Sequence, residues 1–321
     1  MTFPSMPGFD TITLTRDLDP VMAARDQDLG DRFRQYPKLL PLEPVFSVAR
    51  QTGREWRILD TCHATPDEAR RCFAYWLDTE IEIRPDDHAY VRAASAAMAK
   101  LNPEDGDPIR KDEWEFCGER YRIIRILRFT LMGDRILEPP RPSDVEPPRG
   151  PDPVYEMVLD PMRPCGEYEM QLRLNISAFT ANADANSAQI VAEARHAAQT
   201  HPGVLILPPA FEVTEVRPRR GWRTVIDAEG PDSASVRLYE FLRFTAPAHH
   251  RHEHGSPPTE DERAAYHRAA DEVRGQPGPD FAVLGRTFRT LRITRALRLG
   301  REGPEGPRPS DEDDAEPGAG S

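Results

Sequence analysis

The sequence predicts a mixed α+β protein built from two tandem ferredoxin-like units, each with the element order β-α-β-β-α-β. The first supporting observation is an internal repeat, in which residues 118–144 recur at 285–311 with 12 identities in 27 aligned positions. The second is an alternation of apolar and polar residues in segments that begin and end at capping or turn residues. We therefore expect two units related by a pseudo-two-fold axis, with proline-rich straps after each.

A second arrangement of the same units is also open. In that alternative the repeated last strands pair edge to edge across the pseudo-two-fold axis and form one flat sheet. The predicted divisions of the chain are a first repeat with its proline-rich linker at 1–150, a second repeat at 151–310 and a disordered acidic tail at 311–321.

The first predicted strand is clearest in the second repeat, where apolar side chains alternate with polar ones. Its apolar positions are Tyr168, Met170, Leu172, Leu174 and Ile176. Period two is the spacing of one face of a strand, because successive side chains point to opposite sides of a sheet.

A helix and a pair of strands follow in each unit. The helix is expected to begin after Asp19 in the first repeat and after Asp184 or Asn186 in the second. These side chains accept hydrogen bonds from the unpaired backbone N–H groups of a first helical turn. The next two strands are predicted at 44–49 and 55–59, joined by a hairpin turn.

The last helix and the last strand complete the unit. Thr65 and Glu68 have the spacing of a capping box, and Thr259 and Glu262 repeat it in the second half. The arginine-rich segment that opens the 27-residue repeat is predicted to form the final strand.

Arg125 and Arg292 are the strongest polar signal, because each lies in the middle of an apolar strand. A guanidinium there keeps its charge and needs a carboxylate or an anion. One interpretation is an internal ion pair, and the carboxylates considered are Glu113, Glu115, Asp60 and Asp227. The other is a small-anion pocket in which Arg125 and Arg292 converge in a cleft between the repeats, beside Tyr121 and Phe288.

The proline-rich straps at 138–144 and 305–311 end the two repeats and share the sequence Arg-Pro-Ser-Asp. Proline favours an extended conformation that exposes side chains. Each strap is predicted either to pack back on the last strand of its own unit or to dock a protein partner. The docking residues in the second interpretation are Arg141, Asp144, Arg308 and Asp311.

Two further groups are candidates for a reactive or metal site. The histidine cluster at 249–254 precedes a Gly-Ser-Pro-Pro loop and has no counterpart in the first repeat, so a solvated loop is predicted and metal binding there is left open. Cys62 and His63 resemble a nucleophile and its base. Adjacent residues at a strand end point to opposite faces, however, and no third orienting group is apparent. No catalytic residue, metal site or cofactor is predicted.

Composition narrows the class of function. The net charge of −12 opposes binding to nucleic-acid phosphates, and single-stranded RNA binding on the sheet face is disfavoured for the same reason. The four cysteines have no metal-finger or disulfide spacing, and no leader or membrane span is evident, which together predict a cytoplasmic protein. The favoured hypothesis is a non-enzymatic binding or regulatory module that acts through protein partners. The alternative is a small-anion or nucleotide-binding protein, including an enzyme of that kind.

Three segments carry a resemblance to a known family. They are Tyr-Pro-Lys-Leu at 36–39, Trp-Arg-Ile at 56–58, and the Gly-x-x-Tyr-Arg segment that runs from 118 to Arg-Pro-Ser-Asp at 144. Over most of its length the chain resembles uncharacterised actinobacterial proteins classed as a domain of unknown function. The resemblance implies a cytosolic actinobacterial protein and carries over no activity or catalytic residue.

Overall fold

The structure is a computed structural model, and it describes residues 3–102, 110–134, 136–147, 152–181, 186–217, 221–275 and 280–313. The first half of the chain forms α1 (Pro20–Gln35), β1 (Lys38–Thr52), β2 (Glu55–Ile58), α2 (Pro66–Ile83), α3 (His88–Leu101), β3 (Glu113–Phe116), β4 (Glu119–Gly133) and β5 (Ile136–Leu137).

The second half forms α4 (Glu167–Ala178), α5 (Ala188–Thr200), β6 (Gly203–Ile206), β7 (Ala210–Arg217), β8 (Gly221–Ala228), α6 (Pro231–Glu240), a π-helical segment (Phe241–Thr245), α7 (Ala246–His254), α8 (Glu260–Gly275), β9 (Asp280–Val283), β10 (Arg286–Gly300), β11 (Gly303–Pro304) and α9 (Pro309–Asp313). Within the described ranges, none of the helices has both the length and the hydrophobicity needed to cross a bilayer.

Both halves contribute to one large antiparallel sheet with the strand order β2-β1-β4-β10-β7-β8. The central pair is β4 and β10, in which Arg128 lies opposite Arg295 and Leu127 lies opposite Ala296. Arg128 and Arg295 are equivalent positions of the 167-residue repeat, so the pseudo-two-fold axis passes between them. The repeated last strands therefore pair edge to edge, as the alternative prediction had it.

The strands of the two halves match around this axis. Phe46 pairs with Arg125 in the first half, and Phe211 pairs with Arg292 in the second. The long strand β1, which shifts register between Leu42 and Val45, corresponds to the separate strands β6 and β7. The tandem ferredoxin-like arrangement itself is not observed, because each half begins with a helix and its two long strands pair directly.

The predicted first strand of the second repeat was wrong, since Glu167–Ala178 is the helix α4. Tyr168, Leu172 and Ile176 are four residues apart, so they form a helical stripe as well as an alternating pattern. Both Leu172 and Ile176 are buried on that stripe, and Leu174 is exposed. The carboxylate of Asp26 accepts the backbone N–H groups of Tyr168 and Glu169, which stabilises the first turn of the helix.

The predicted helix caps are largely confirmed. Asp19 Oδ1 accepts the N–H groups of Val21 and Met22, and Thr65 Oγ1 accepts that of Glu68. The helix of the second repeat is capped by Ser187 rather than Asn186, and Asp184 lies outside the described residues.

Two other predicted segments differ from expectation. The histidine cluster at 249–254 lies on α7 rather than in a solvated loop. The beginning of the predicted acidic tail forms α9, in which Asp311 is ordered and paired, while 314–321 lie outside the described residues.

The helices cover one face of the sheet. Helices α2 and α3 pack on Phe46 and Tyr121 in the first half, and α6 with α8 packs on Phe211 and Phe288 in the second. The opposite face of the first half is buried in a separate cluster that includes Trp56, and residues 154–159 contribute to it.

Candidate functional site

Arg125 and Arg292 each form an ion pair with the strap of the other repeat. Arg125 Nε lies 2.9 Å from Oδ2 of Asp311, and Arg292 Nε lies 3.0 Å from both carboxylate oxygens of Asp144. All four side chains are largely buried. The carboxylates that pair with these two arginines therefore come from the straps. They are not the predicted partners Glu113, Glu115, Asp60 or Asp227.

The structure does not bring Arg125 and Arg292 together. Each lies three residues from the central Arg128–Arg295 pair, on opposite sides of it, because the two strands are antiparallel. Six residues of strand separate their backbones by about 20 Å. A single small anion cannot contact both side chains across that distance.

The two aromatic residues of the predicted pocket belong to separate hydrophobic cores. The Tyr121 hydroxyl donates to Glu119 at 2.5 Å, and its ring stacks on Phe116. Phe288 is fully buried and lies edge-on to Phe241. The predicted site of Arg125, Arg292, Tyr121 and Phe288 therefore does not form one cleft, since the pseudo-two-fold axis separates its two halves.

The straps run within the plane of the sheet, between β4 and β10, where these strands are no longer paired. Glu138 donates its N–H to the Leu131 carbonyl at 2.8 Å and accepts the Arg292 N–H at 3.0 Å. Glu305 repeats this bridge between Arg298 and Arg125, at 2.9 and 2.8 Å. Each strap thus joins the last strand of its own unit, as predicted, to the last strand of the other unit, which was not predicted.

The four predicted docking residues make contacts inside the protein. Arg141 Nε lies 2.6 Å from Glu138 Oε1, and its backbone N–H donates to Asp144 at 2.7 Å. Arg308 makes the equivalent contacts with Glu305 and Asp311, both at 2.7 Å. Burial, followed by the nearby Arg292 charge, lowers the pKa of Arg141. These residues consequently present little surface to a partner.

The sheet edge of the first repeat is covered by the chain itself. Ile58 N donates to the Met157 carbonyl at 3.0 Å, and Leu159 N donates to the Trp56 carbonyl at 2.8 Å. Arg57 and Val158 form an antiparallel bridge between these two bonds. Residues 157–159 therefore act as an additional short strand beside β2 and complete the burial of Trp56.

The equivalent edge of the second repeat is the outer edge of β8. Trp222 pairs with Val216 as Trp56 pairs with Gln51, and Thr224 pairs with Thr214 as Ile58 pairs with Ala49. Throughout the described ranges, no strand or bridge lies on the outer side of β8. Trp222 is accordingly 41% exposed, whereas Trp56 is 0% exposed. We call the outward backbone groups of Trp222 and Thr224, with the Trp222 ring, the β8 edge.

A second candidate is a group formed by Asp60, His63 and Cys72. His63 Nε2 lies 2.8 Å from Asp60 Oδ2, and His63 Nδ1 lies 3.7 Å from the Cys72 sulfur. His63 is held by two backbone hydrogen bonds with Phe46, and Cys72 projects from α2. Burial, followed by the Asp60 charge, raises the pKa of the Cys72 thiol.

The structure pairs His63 with Cys72 rather than with its predicted neighbour Cys62. Cys62 is directed to the other side of the chain, where its sulfur lies 3.6 Å from Arg295 Nη1. The third, orienting group is Asp60, three residues before His63. No sequence pattern would have indicated Cys72, because its approach to His63 depends on how α2 packs on the sheet.

Both candidate sites lie within a stretch of the chain that matches a known protein family. A family model described as "Family of unknown function (DUF5954)" matches residues 19–314. The chain belongs to this family. No curated protein and no solved structure matches it. The match to DUF5954 spans both repeats and both straps, together with the β8 edge and the Asp60, His63 and Cys72 group.

In this DUF5954 chain, the histidine cluster at 249–254 gives a weaker case for a functional site than the two candidates above. His250 and His254 are four residues apart on α7, the spacing of a helical ligand pair. His250 is buried, with Nε2 3.8 Å from a Glu262 carboxylate oxygen, and its ring lies edge-on to Tyr266. The side chain of His254 is outside the described part of the structure, so metal binding by this cluster stays open.

Proposed function

We propose that this DUF5954 protein is a cytosolic, non-enzymatic binding module that accepts an extended segment of a partner protein on the β8 edge. The observation that carries the proposal is the cover of the equivalent first-repeat edge by residues 157–159. An open edge strand presents unpaired N–H and C=O groups, and strand addition is a common mode of peptide recognition. The four free cysteines agree with a reducing compartment.

The first repeat defines the chemistry of the expected partner segment. By analogy with Met157 and Leu159, the segment offers a carbonyl to the Thr224 N–H and an N–H to the Trp222 carbonyl. It lies antiparallel to β8, as Val158 lies to Arg57. Its inward side chains are apolar, because Val154, Met157 and Leu159 pack on the tryptophan side of the first edge. An exposed tryptophan is a typical anchor for such a contact.

The test uses a fluorescent peptide with the sequence of residues 153–160, Pro-Val-Tyr-Glu-Met-Val-Leu-Asp, and measures its anisotropy on the full-length protein. We expect saturable binding that Thr224→Pro reduces at least tenfold, because proline lacks the N–H that the segment needs. Thr224→Val is the matched control, since it keeps the N–H and suits a strand. Equal binding by the Pro and Val variants would contradict the proposal.

Other occupants of the edge would give different results. A dimer in light scattering that Thr224→Pro converts to monomer would assign the edge to a second copy of the chain. Peptide binding that strengthens when 314–321 are deleted would show that this segment competes for the edge.

A small-anion site at Arg125 is the second candidate, and it rests on one observation. In the described part of the chain, Arg125 Nη1 is buried and makes no hydrogen bond. We would measure thermal unfolding against phosphate, nucleotides and dicarboxylates, since a ligand at 100 times its Kd adds about 2.7 kcal/mol to stability. A shift lost in Arg125→Gln and kept in Arg292→Gln would support this candidate, and no shift with any anion would remove it.

A further inference from the structure

We propose that Cys72 and His63 bind a divalent transition-metal ion, with Zn²⁺ as the best fit, and that Asp60 holds the imidazole ring for this purpose. Thiolate and imidazole are the ligands that Zn²⁺ prefers in proteins. Asp60, His63 and Cys72 form the group in the described residues whose ligand atoms all lie within 4.8 Å of one another.

The distance between the two ligand atoms suits a tetrahedral ion. The Cys72 sulfur lies 3.7 Å from His63 Nδ1. Bond lengths of about 2.3 Å to sulfur and about 2.0 Å to nitrogen place two ligands of a tetrahedral Zn²⁺ about 3.5 Å apart. The ion can therefore bridge these atoms without a change of backbone conformation.

Asp60 supplies the outer support that a histidine ligand needs. Its Oδ2 lies 2.8 Å from His63 Nε2, so the ring carries its proton on Nε2 and directs the Nδ1 lone pair towards Cys72. Asp60 is itself fixed, because its Oδ1 accepts the Thr61 N–H at 2.7 Å and its carbonyl accepts the Ser47 hydroxyl at 2.8 Å. A carboxylate, an imidazole and a metal in this order are a recurrent arrangement of zinc sites.

The fold does not require this group, because the second repeat lacks it. Ala228 pairs with Phe211 in the position where His63 pairs with Phe46. Helices α2 and α6 both begin at a proline, and the seventh residue is Cys72 in α2 and Arg237 in α6. The side chains of His63 and Asp60 are 17% and 21% exposed, which leaves room for solvent ligands on the ion.

The test is a titration of the full-length protein with Co²⁺, followed by competition with Zn²⁺. We expect a thiolate-to-cobalt absorption band that Zn²⁺ removes. Cys72→Ser should abolish the band, while Cys117→Ser, which alters an exposed cysteine, should keep it. His63→Ala removes the second ligand and introduces the residue that the second repeat carries at the equivalent position, Ala228. Asp60→Asn should weaken the affinity for the metal ion about 10- to 100-fold.

Three results would overturn the proposal. They are the absence of any thiolate band in the wild type, a band that survives Cys72→Ser with unchanged affinity, and an affinity unaffected by His63→Ala. Rapid alkylation of Cys72 by iodoacetamide that depends on His63, together with no metal band, would instead assign the pair as a nucleophile and its base.

Discussion

Trp56→Ala is expected to cost about 3–5 kcal/mol of unfolding free energy, whereas Trp222→Ala at the equivalent position should cost less than about 1 kcal/mol. Trp56 is fully buried, and the Arg120 and Arg122 guanidinium groups lie 5.8 and 5.2 Å from its ring. The Gly303 backbone is so close that an added Cβ would stand 2.5 Å from the indole. Removing the ring therefore leaves a cavity with two buried cations beside it.

Urea unfolding followed by circular dichroism measures both variants on one scale. Trp56→Phe is an intermediate control, because it keeps part of the apolar volume, and its loss should fall between the other two. Comparable losses for Trp56→Ala and Trp222→Ala would show that the two sheet edges are equally covered, and would also argue against an open β8 edge.

Glu138→Ala is expected to destabilise the protein by about 3–5 kcal/mol, because it leaves a buried arginine without its carboxylate. The Glu138 side chain is 0% exposed and its partner Arg141 is 6% exposed. The Arg292 charge nearby adds to the cost by repelling Arg141. In the other strap Arg308 is 12% exposed, so Glu305→Ala should cost less.

A double-mutant cycle separates the lost attraction from the unpaired charge. Adding Arg141→Met to Glu138→Ala should restore most of the lost stability, because an apolar side chain of similar length needs no counter-ion. If the second change brings no recovery, the loss arises from the missing packing of the Glu138 side chain rather than from the buried charge. A loss below about 1 kcal/mol for Glu138→Ala would contradict the assigned burial.

Some features of this protein follow from short stretches of sequence. The repeat relates Arg125 to Arg292 and Trp56 to Trp222 before any coordinates are known. The caps at Asp19 and Thr65 were also predictable, because a cap depends on backbone groups two or three residues away. The local sequence is sufficient to predict these caps, because all the atoms involved belong to residues that are close in the chain.

Other features were decided by tertiary packing. Residues 168–176 satisfy both a strand and a helix pattern, and the carboxylate of the distant Asp26 at the helix start favours the helix. Asp311 lies 186 residues from Arg125, and no local pattern selects it over nearer carboxylates. The strap lies beside Arg125 because Glu305 is hydrogen-bonded between β10 and β4, to the Arg298 carbonyl and the Arg125 N–H.

The candidate sites show the same division. The sequence presents Trp56 and Trp222 as equivalent, whereas the distant residues 157–159 and Gly303 cover Trp56 and leave Trp222 41% exposed. His63 and Cys72 meet because α2 folds back over the strand residue Phe46. The sequence by itself determined the repeat, its local caps and the positions of its strongest charges. Tertiary structure alone decided which charges pair and which edge is open, because those outcomes depend on long-range packing geometry that neighbouring residues do not encode.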